Sequence, residues 1–245
     1  HLMREHVANY LNSYEMFHLF GVSHWISIIL FFFTALYLPW YSKKYFSKSF
    51  QVKINYLLVF FVFINFPIWV LLEVIAGTFD LKLHLPLHLC RFANLILPFA
   101  IYKKNNFTFQ VMYYWGLSAM FQAIFTPDIT HDFPHFHYFR YFAAHHLLVI
   151  SIIYNVVVFD LKPTISGLKN AFFCLNAFLF IALFSNIILD ANYFWLMGKP
   201  PVGSLLDFMG PWPWYILVAE LVALIHFYAA YYLYYAISAR TKFIN

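Results

Sequence analysis

Cys90 has Arg91 directly after it and His88 two residues before it. A buried cysteine is ordinarily an inert small hydrophobe, whereas one with cations beside it is held toward the thiolate, the form that attacks acyl groups. Cys174 has no such neighbours and is read as inert. A second constellation is His131, Asp132, His135, His137, His145 and His146, in which His-x-His and His-x3-His spacings suit a divalent metal. No Cys pair or His-Glu-x-x-His motif accompanies them. A histidine-rich loop is therefore the plainer reading, and no metal or other cofactor is assigned.

These groups stand in a chain that is not built for water. Of 245 residues, 63% are hydrophobic and only 10% charged, against about 25% charged in a soluble domain. Fifteen basic and ten acidic side chains cannot wet the surface of such a chain, so most of that surface must face lipid. The net charge of +5 sits in short loops between apolar runs, a pattern of membrane topology rather than of nucleic-acid binding.

Seven runs are long enough to cross a bilayer core of about 30 Å as helix, at 17–41, 52–76, 84–102, 108–126, 138–159, 171–190 and 212–237. The expected fold is an all-α polytopic membrane protein. It forms one domain over 1–245, with a short N-terminal segment at 1–16, a seven-helix bundle at 17–237 and a tail at 238–245. No signal peptide is expected ahead of the first run. Ten Lys and Arg fall in one set of alternating loops and four in the other, which puts the N-terminus outside and the C-terminus in the cytoplasm.

With that orientation the ionisable residues collect toward the outer face. Glu73, His84, His88, Cys90, Arg91, His145, His146, Asp190 and Glu220 all lie near the outer ends of their runs, where such residues are expected to face one another or a wet cavity. Cys90 and His145 fall at about equal depth, roughly 10 Å below the starts of the third and fifth runs. At 100° per residue, His84, His88 and Arg91 would share one face of the third helix, with Cys90 and Asn94 on the adjacent strip. His18, His24, Lys82 and Lys199 are expected only to snorkel to the headgroups. The two cysteines lie toward opposite faces, so no disulfide joins them.

Several motifs carry a resemblance. Leu85-Pro-Leu-His-Leu-Cys90, Tyr114-Trp-Gly-Leu-Ser118 leading to Thr126-Pro-Asp128, Phe133-Pro-His-Phe136, Phe142-Ala-Ala-His145, Asn192-Tyr-Phe-Trp-Leu196 and Ser204-Leu-Leu-Asp-Phe-Met-Gly-Pro-Trp-Pro-Trp-Tyr215 resemble the YwaF-type bacterial integral membrane family. That family is similar to the vertebrate transmembrane protein 164, an ether-phospholipid acyltransferase. The resemblance implies seven helices, a bacterial plasma membrane and a catalytic Cys and His, carried here to Cys90 and His145. Where the family would place Gly after that His, this chain has His146, which leaves open which imidazole works.

The chemistry suits these residues. His145 would take the thiol proton, Cys90 would carry the acyl chain as a thioester, and Asn94 or Arg91 would stabilise the oxyanion. His88, His146 and Glu73 are supporting groups, while Arg140, Lys199, Asp128 and Asp207 are candidates for binding substrate, the two cations for a lipid phosphate. The expected reaction is acyl transfer from a phospholipid donor to a lysolipid or amine acceptor, without nucleic acid, cofactor or coenzyme A. The competing readings are a transporter or channel with an outer polar vestibule, and a metal-dependent membrane hydrolase using the histidine cluster. No internal repeat supports the first of these.

Overall fold

The computed structural model describes residues 2–13, 16–201 and 203–242, with side chains to residue 239. Its elements, in chain order, are α1 (Leu2–Asn12), α2 (Val22–Tyr45), α3 (Lys48–Ala76), α4 (Leu89–Tyr102), α5 (Asn106–Trp115), a π turn at Gly116–Met120, α6 (Phe121–Phe125), α7 (Phe136–Val158), α8 (Ile165–Leu189), 3₁₀ turns at Tyr193–Trp195 and Leu205–Phe208, and α9 (Trp214–Lys242). Among the described residues there is no strand beyond an isolated bridge between Met16 and His131.

Five helices are long and apolar enough to cross a membrane: α2, α3, α7, α8 and α9. They show why in their exposed faces. Ile29 and Leu36 on α2, Phe180, Phe184 and Ile187 on α8, and Leu221 and Ile225 on α9 are all large, apolar and open to the surroundings. Such a surface is stable only against lipid, and the chain is an integral membrane protein.

The ends are set by local chemistry. Ser47, Asn105 and Thr164 cap α3, α5 and α8, accepting from the amides of Phe50, Thr108 and Gly167. Gly77 ends α3 in the left-handed conformation, at φ 73°, where a side chain would be strained.

Helix α7 is the centre of the packing, lying against α2, α3 and α4, while α5 pairs with α8 and α9 meets the π turn. Polar pairs lock these helices where water cannot. Asn55 on α3 and Asn155 on α7 exchange hydrogen bonds through their amides at 2.9 and 2.8 Å, both side chains buried. Nearby, Ser42 donates to the Tyr154 hydroxyl (2.6 Å), which donates to the Gln51 carbonyl (3.0 Å).

Two expectations change, and one segment gains detail. The segment at 1–16 contains α1, whose Arg4 Nε donates to the Ala76 carbonyl at 3.2 Å, while residues 1, 14 and 15 lie outside the described set. The fourth run is not one regular helix, because a π turn interrupts it. The third run does not start as helix at 84: Pro86 lacks an amide donor and disfavours helix before it, and α4 begins only at Leu89. The helical-face relation expected among His84, His88 and Arg91 therefore does not exist, since two of the three precede the helix.

Replacing Asn155 by Leu leaves Asn55 buried without its partner. A loss of about 1–2 kcal/mol is expected, with the double variant Asn55→Leu/Asn155→Leu recovering part of it, as thermal unfolding in detergent would show. Equal losses in the single and double variants would mean the pair carries no coupling.

Candidate active site

Because α4 starts at Leu89, Cys90 lies in its first turn, where amide groups point out of the helix end. The amides of Cys90 and Arg91 both interact with the Cys90 sulfur, and the guanidiniums of Arg91 and Arg140 are the charges that act on it.

Cys90 lines a cavity of about 600 Å³ that reaches from α3 to α9. Of the residues singled out from sequence, His88, Arg91, Asn94, Asp128, Arg140 and His145 line the same space. Asn94, one helical turn below Cys90, has a buried amide oxygen with no hydrogen-bond partner, and so does the Nε of Arg140.

His145 is fixed by its own helix. Its Nδ1 lies 2.8 Å from the Tyr141 carbonyl, which can only accept, so Nδ1 carries the proton and the Nε2 lone pair is left as the basic site. The Tyr141 ring stacks on the imidazole at 4.1 Å, and the Tyr141 hydroxyl donates to the Ala123 carbonyl at 3.1 Å. His146 does not line the cavity. Its ring packs beside Phe31 and Phe142, with Nε2 buried and unpartnered.

The remaining candidates stand apart from the cavity wall. Glu73 accepts from Trp69 Nε1 (2.8 Å) and Thr78 Oγ1 (2.5 Å), with His84 Nε2 at 3.8 Å. Asp207 accepts from the Ser204 amide (2.7 Å) and so closes its own turn. Lys199 Nζ lies over the Tyr215 ring at 5.5 Å.

Within the histidine-rich loop, His135 Nε2 pairs with the Tyr10 carbonyl at 2.9 Å and Nδ1 accepts from the His137 amide at 3.1 Å. Among the described residues no three His, Cys, Asp or Glu are placed to hold a metal.

Trp69 and His226 were missed from sequence. Both guanidiniums lie against the Trp69 ring, with Arg91 Cζ at 4.4 Å and Arg140 Cζ at 4.0 Å from its centroid. His226, on α9, also lines the cavity and, like His145, has Nδ1 against the carbonyl four residues back, that of Val222, at 2.7 Å. An ionisable residue inside a long apolar run is the signal that marks it.

A second, smaller cavity of about 190 Å³ shares Leu89, Ser118, Ala119, Phe194, Trp195, Leu206, Ala219 and Ala223 with the first. Its further walls, from Leu175, Leu179, Ile216 and Phe227, are apolar, and Glu220 at its edge is engaged by Asn176 Nδ2 at 2.9 Å.

Residues 19–231 match the model of the TMEM164 family, and the chain belongs to that family. No curated protein and no solved structure matches it.

The loop entering α4 makes stability depend on pH. His84 is buried, its Nδ1 accepts from the Asp80 amide at 2.8 Å, and burial lowers its pKa from 6.5, with Glu73 opposing. A lowered folded pKa means that the unfolded chain takes up a proton first. His84 therefore leaves stability intact above pH 6.5 and erodes it as pH falls from there through the folded value. Between pH 7 and 5 the native protein is expected to lose thermal stability more steeply than His84→Gln; parallel curves would exclude His84 as the cause.

Proposed function

Given membership of the TMEM164 family, we propose that this protein is a membrane lipid acyltransferase of the transacylase type, with Cys90 as nucleophile and His145 as base. The observation that carries the reading is the shared chamber: thiol, Nδ1-anchored imidazole, amide side chain and two guanidiniums face one cavity, and an apolar branch leads from it. We read the chain as one bundle of seven crossings. The seventh-helix count comes from adding α4 and the α5, π turn and α6 series to the five long helices.

In the first half-reaction His145 Nε2 takes the Cys90 proton as sulfur attacks the carbonyl carbon of a phospholipid ester. The carbonyl electrons move to oxygen, and the Asn94 amide and nearby guanidinium donors are the groups available to meet that charge. The oxyanion collapses, the ester C–O bond breaks, and the imidazolium protonates the departing lysolipid oxygen. An acyl thioester remains on Cys90, its chain in the apolar branch. In the second half an acceptor hydroxyl or amine gives its proton to His145 and attacks the thioester. The C–S bond breaks and the thiol is restored.

One ester is exchanged for another, or for an amide where the acceptor is an amine, so no nucleotide or metal enters the balance. The loop charges, ten basic residues against four, support a chamber on the extracytoplasmic side, away from coenzyme A. The donor in this reading is a lipid already in the membrane.

Reconstituted protein given labelled phospholipid and lyso-acceptor should form an acyl adduct on Cys90, seen by intact-protein mass spectrometry. Cys90→Ala is expected to lose the adduct and about 10³-fold or more of transfer, Cys174→Ala to keep both, and acyl-CoA to add nothing. Retained transfer without Cys90, or strict dependence on acyl-CoA, would sink the mechanism.

The apolar branch predicts its own phenotype. Ala219 lines both cavities, so Ala219→Phe is expected to narrow the passage and shift transfer toward shorter chains in competition assays with mixed donors. An unchanged chain-length profile would place the acyl chain elsewhere.

A further inference from the structure

The charge in the main cavity does not balance. Arg91 and Arg140 both line it, and Arg91 acts on Arg140 as a like charge. Neither guanidinium is ion-paired with a carboxylate among the described residues. Asp128 lines the cavity and acts on Arg91 from a distance, as Glu73 does on Arg140, but neither carboxylate bonds a guanidinium, and Glu73 already accepts from Trp69 and Thr78. Arg140 Nε is buried without a partner. Bringing two like charges over one ring out of water is costly unless something negative meets them.

The arrangement is built rather than incidental. Trp69 presents its ring to both cations, at 4.4 and 4.0 Å, and stacking of this kind orients a planar guanidinium. The ring is held in turn by the bond from its Nε1 to Glu73. Arg91 is held from the other side, its Nη1 donating to the carbonyls of Leu83 and Leu85. Three further donor hydrogens of Arg91, on Nε and Nη2, are not used in those bonds.

We propose that Arg91 and Arg140, oriented on Trp69, form a clamp for a phosphate group in the wall of the Cys90 cavity. Guanidinium forks match phosphate oxygens in pairs, and two of them meet the charge of a phosphodiester or of a free phosphate ion. Glu73 is a positioning residue here: it touches Trp69, not the anion. Where the acyl-transfer reading above holds, the phosphate belongs to the donor and the clamp sets which ester reaches Cys90. The clamp itself does not require turnover.

Its test is binding, measured in the Cys90→Ala background so that failure of transfer and failure of the clamp appear separately. Native mass spectrometry of protein in neutral detergent would compare dioleoylphosphatidylglycerol and dioleoylphosphatidylcholine with dioleoylglycerol, which has the same chains and no phosphate. The phosphate-bearing lipids are expected to be retained at least about tenfold better. Arg91→Gln or Arg140→Gln should remove that preference without changing dioleoylglycerol binding, and Arg140→Lys, which keeps charge but not the fork, should restore part of it. Where a Gln variant does not fold, the comparison among the three lipids and the Arg140→Lys result decide. Inorganic phosphate alone, added at millimolar concentration, identifies the source: displacement of the lipid puts a free phosphate in the clamp, and no displacement puts the lipid diester there. Equal retention of dioleoylglycerol and the two phospholipids would overturn the proposal.

Discussion

Backbone amides and carbonyls outside a regular ladder must find other partners, and the chamber follows from how residues 77–88 meet that demand. This segment is not helical, so its polar groups have no ladder to join. Side chains supply the missing partners. Arg91 donates to the carbonyls of Leu83 and Leu85, the Tyr193 hydroxyl donates to the Leu81 carbonyl (2.6 Å) and accepts from the Leu85 amide (3.0 Å), and His84 accepts from the Asp80 amide. At about 1.5 Å per residue, the fourteen-residue α4 is roughly 21 Å long and falls short of a bilayer core on its own. The loop sets where that helix begins, and the start of α4 ends up beside the cavity with Cys90 in its first turn.

The same loop ties the thiol to the arginines. Arg91 is bonded to the segment just ahead of Cys90 and lies on Trp69 of α3, while Arg140 reaches the same ring from α7. A single indole thus joins three elements around one patch of positive charge. Its anchor, Glu73, lies one helical turn further along α3 and also accepts from Thr78 just past the helix end, so α3, the loop, α4 and α7 are registered to one another through a few charge-assisted contacts.

Much of this was legible in the sequence, and the parts that were not have physical reasons. Composition and the apolar runs indicated a membrane bundle, because lipid imposes length and hydropathy on every crossing. Cys90, Arg91, Asn94 and His145 stood out because polar residues in such runs need company, Arg140 as a cation for a lipid phosphate, and all five line one cavity. Glu73 also stood out, but its partner is an indole N–H, which hydropathy does not register as polar. Trp69 was hidden for the same reason: an aromatic in an apolar span looks like lipid-facing bulk until its neighbours are known. The late start of α4 was missed because hydrophobicity is continuous through Pro86, and only backbone chemistry separates loop from helix there. Nothing in the spacing of residues 116–120 distinguishes a π turn from an α-helical one.

That π turn bears on why a chamber exists at all. Uninterrupted helices pack side chains to high density and leave few voids. Here the junction between the two cavities is walled where regular structure fails: Leu89 begins α4, Ser118 and Ala119 lie in the π turn, and Phe194 and Trp195 lie in a 3₁₀ turn with φ of 57° and 54°. Positive φ at two bulky residues is unfavourable and persists only where the surroundings impose it. Asn186 does so from α8, its amide bonding both the carbonyl of Tyr193 (2.8 Å) and its N–H (2.6 Å). Small residues, Ala219 and Ala223 of α9, face this junction and keep it open. Three departures from ideal helix thus converge on one point between α4, α8 and α9, and in the proposed reaction the space they leave is where a chain attached to Cys90 would lie.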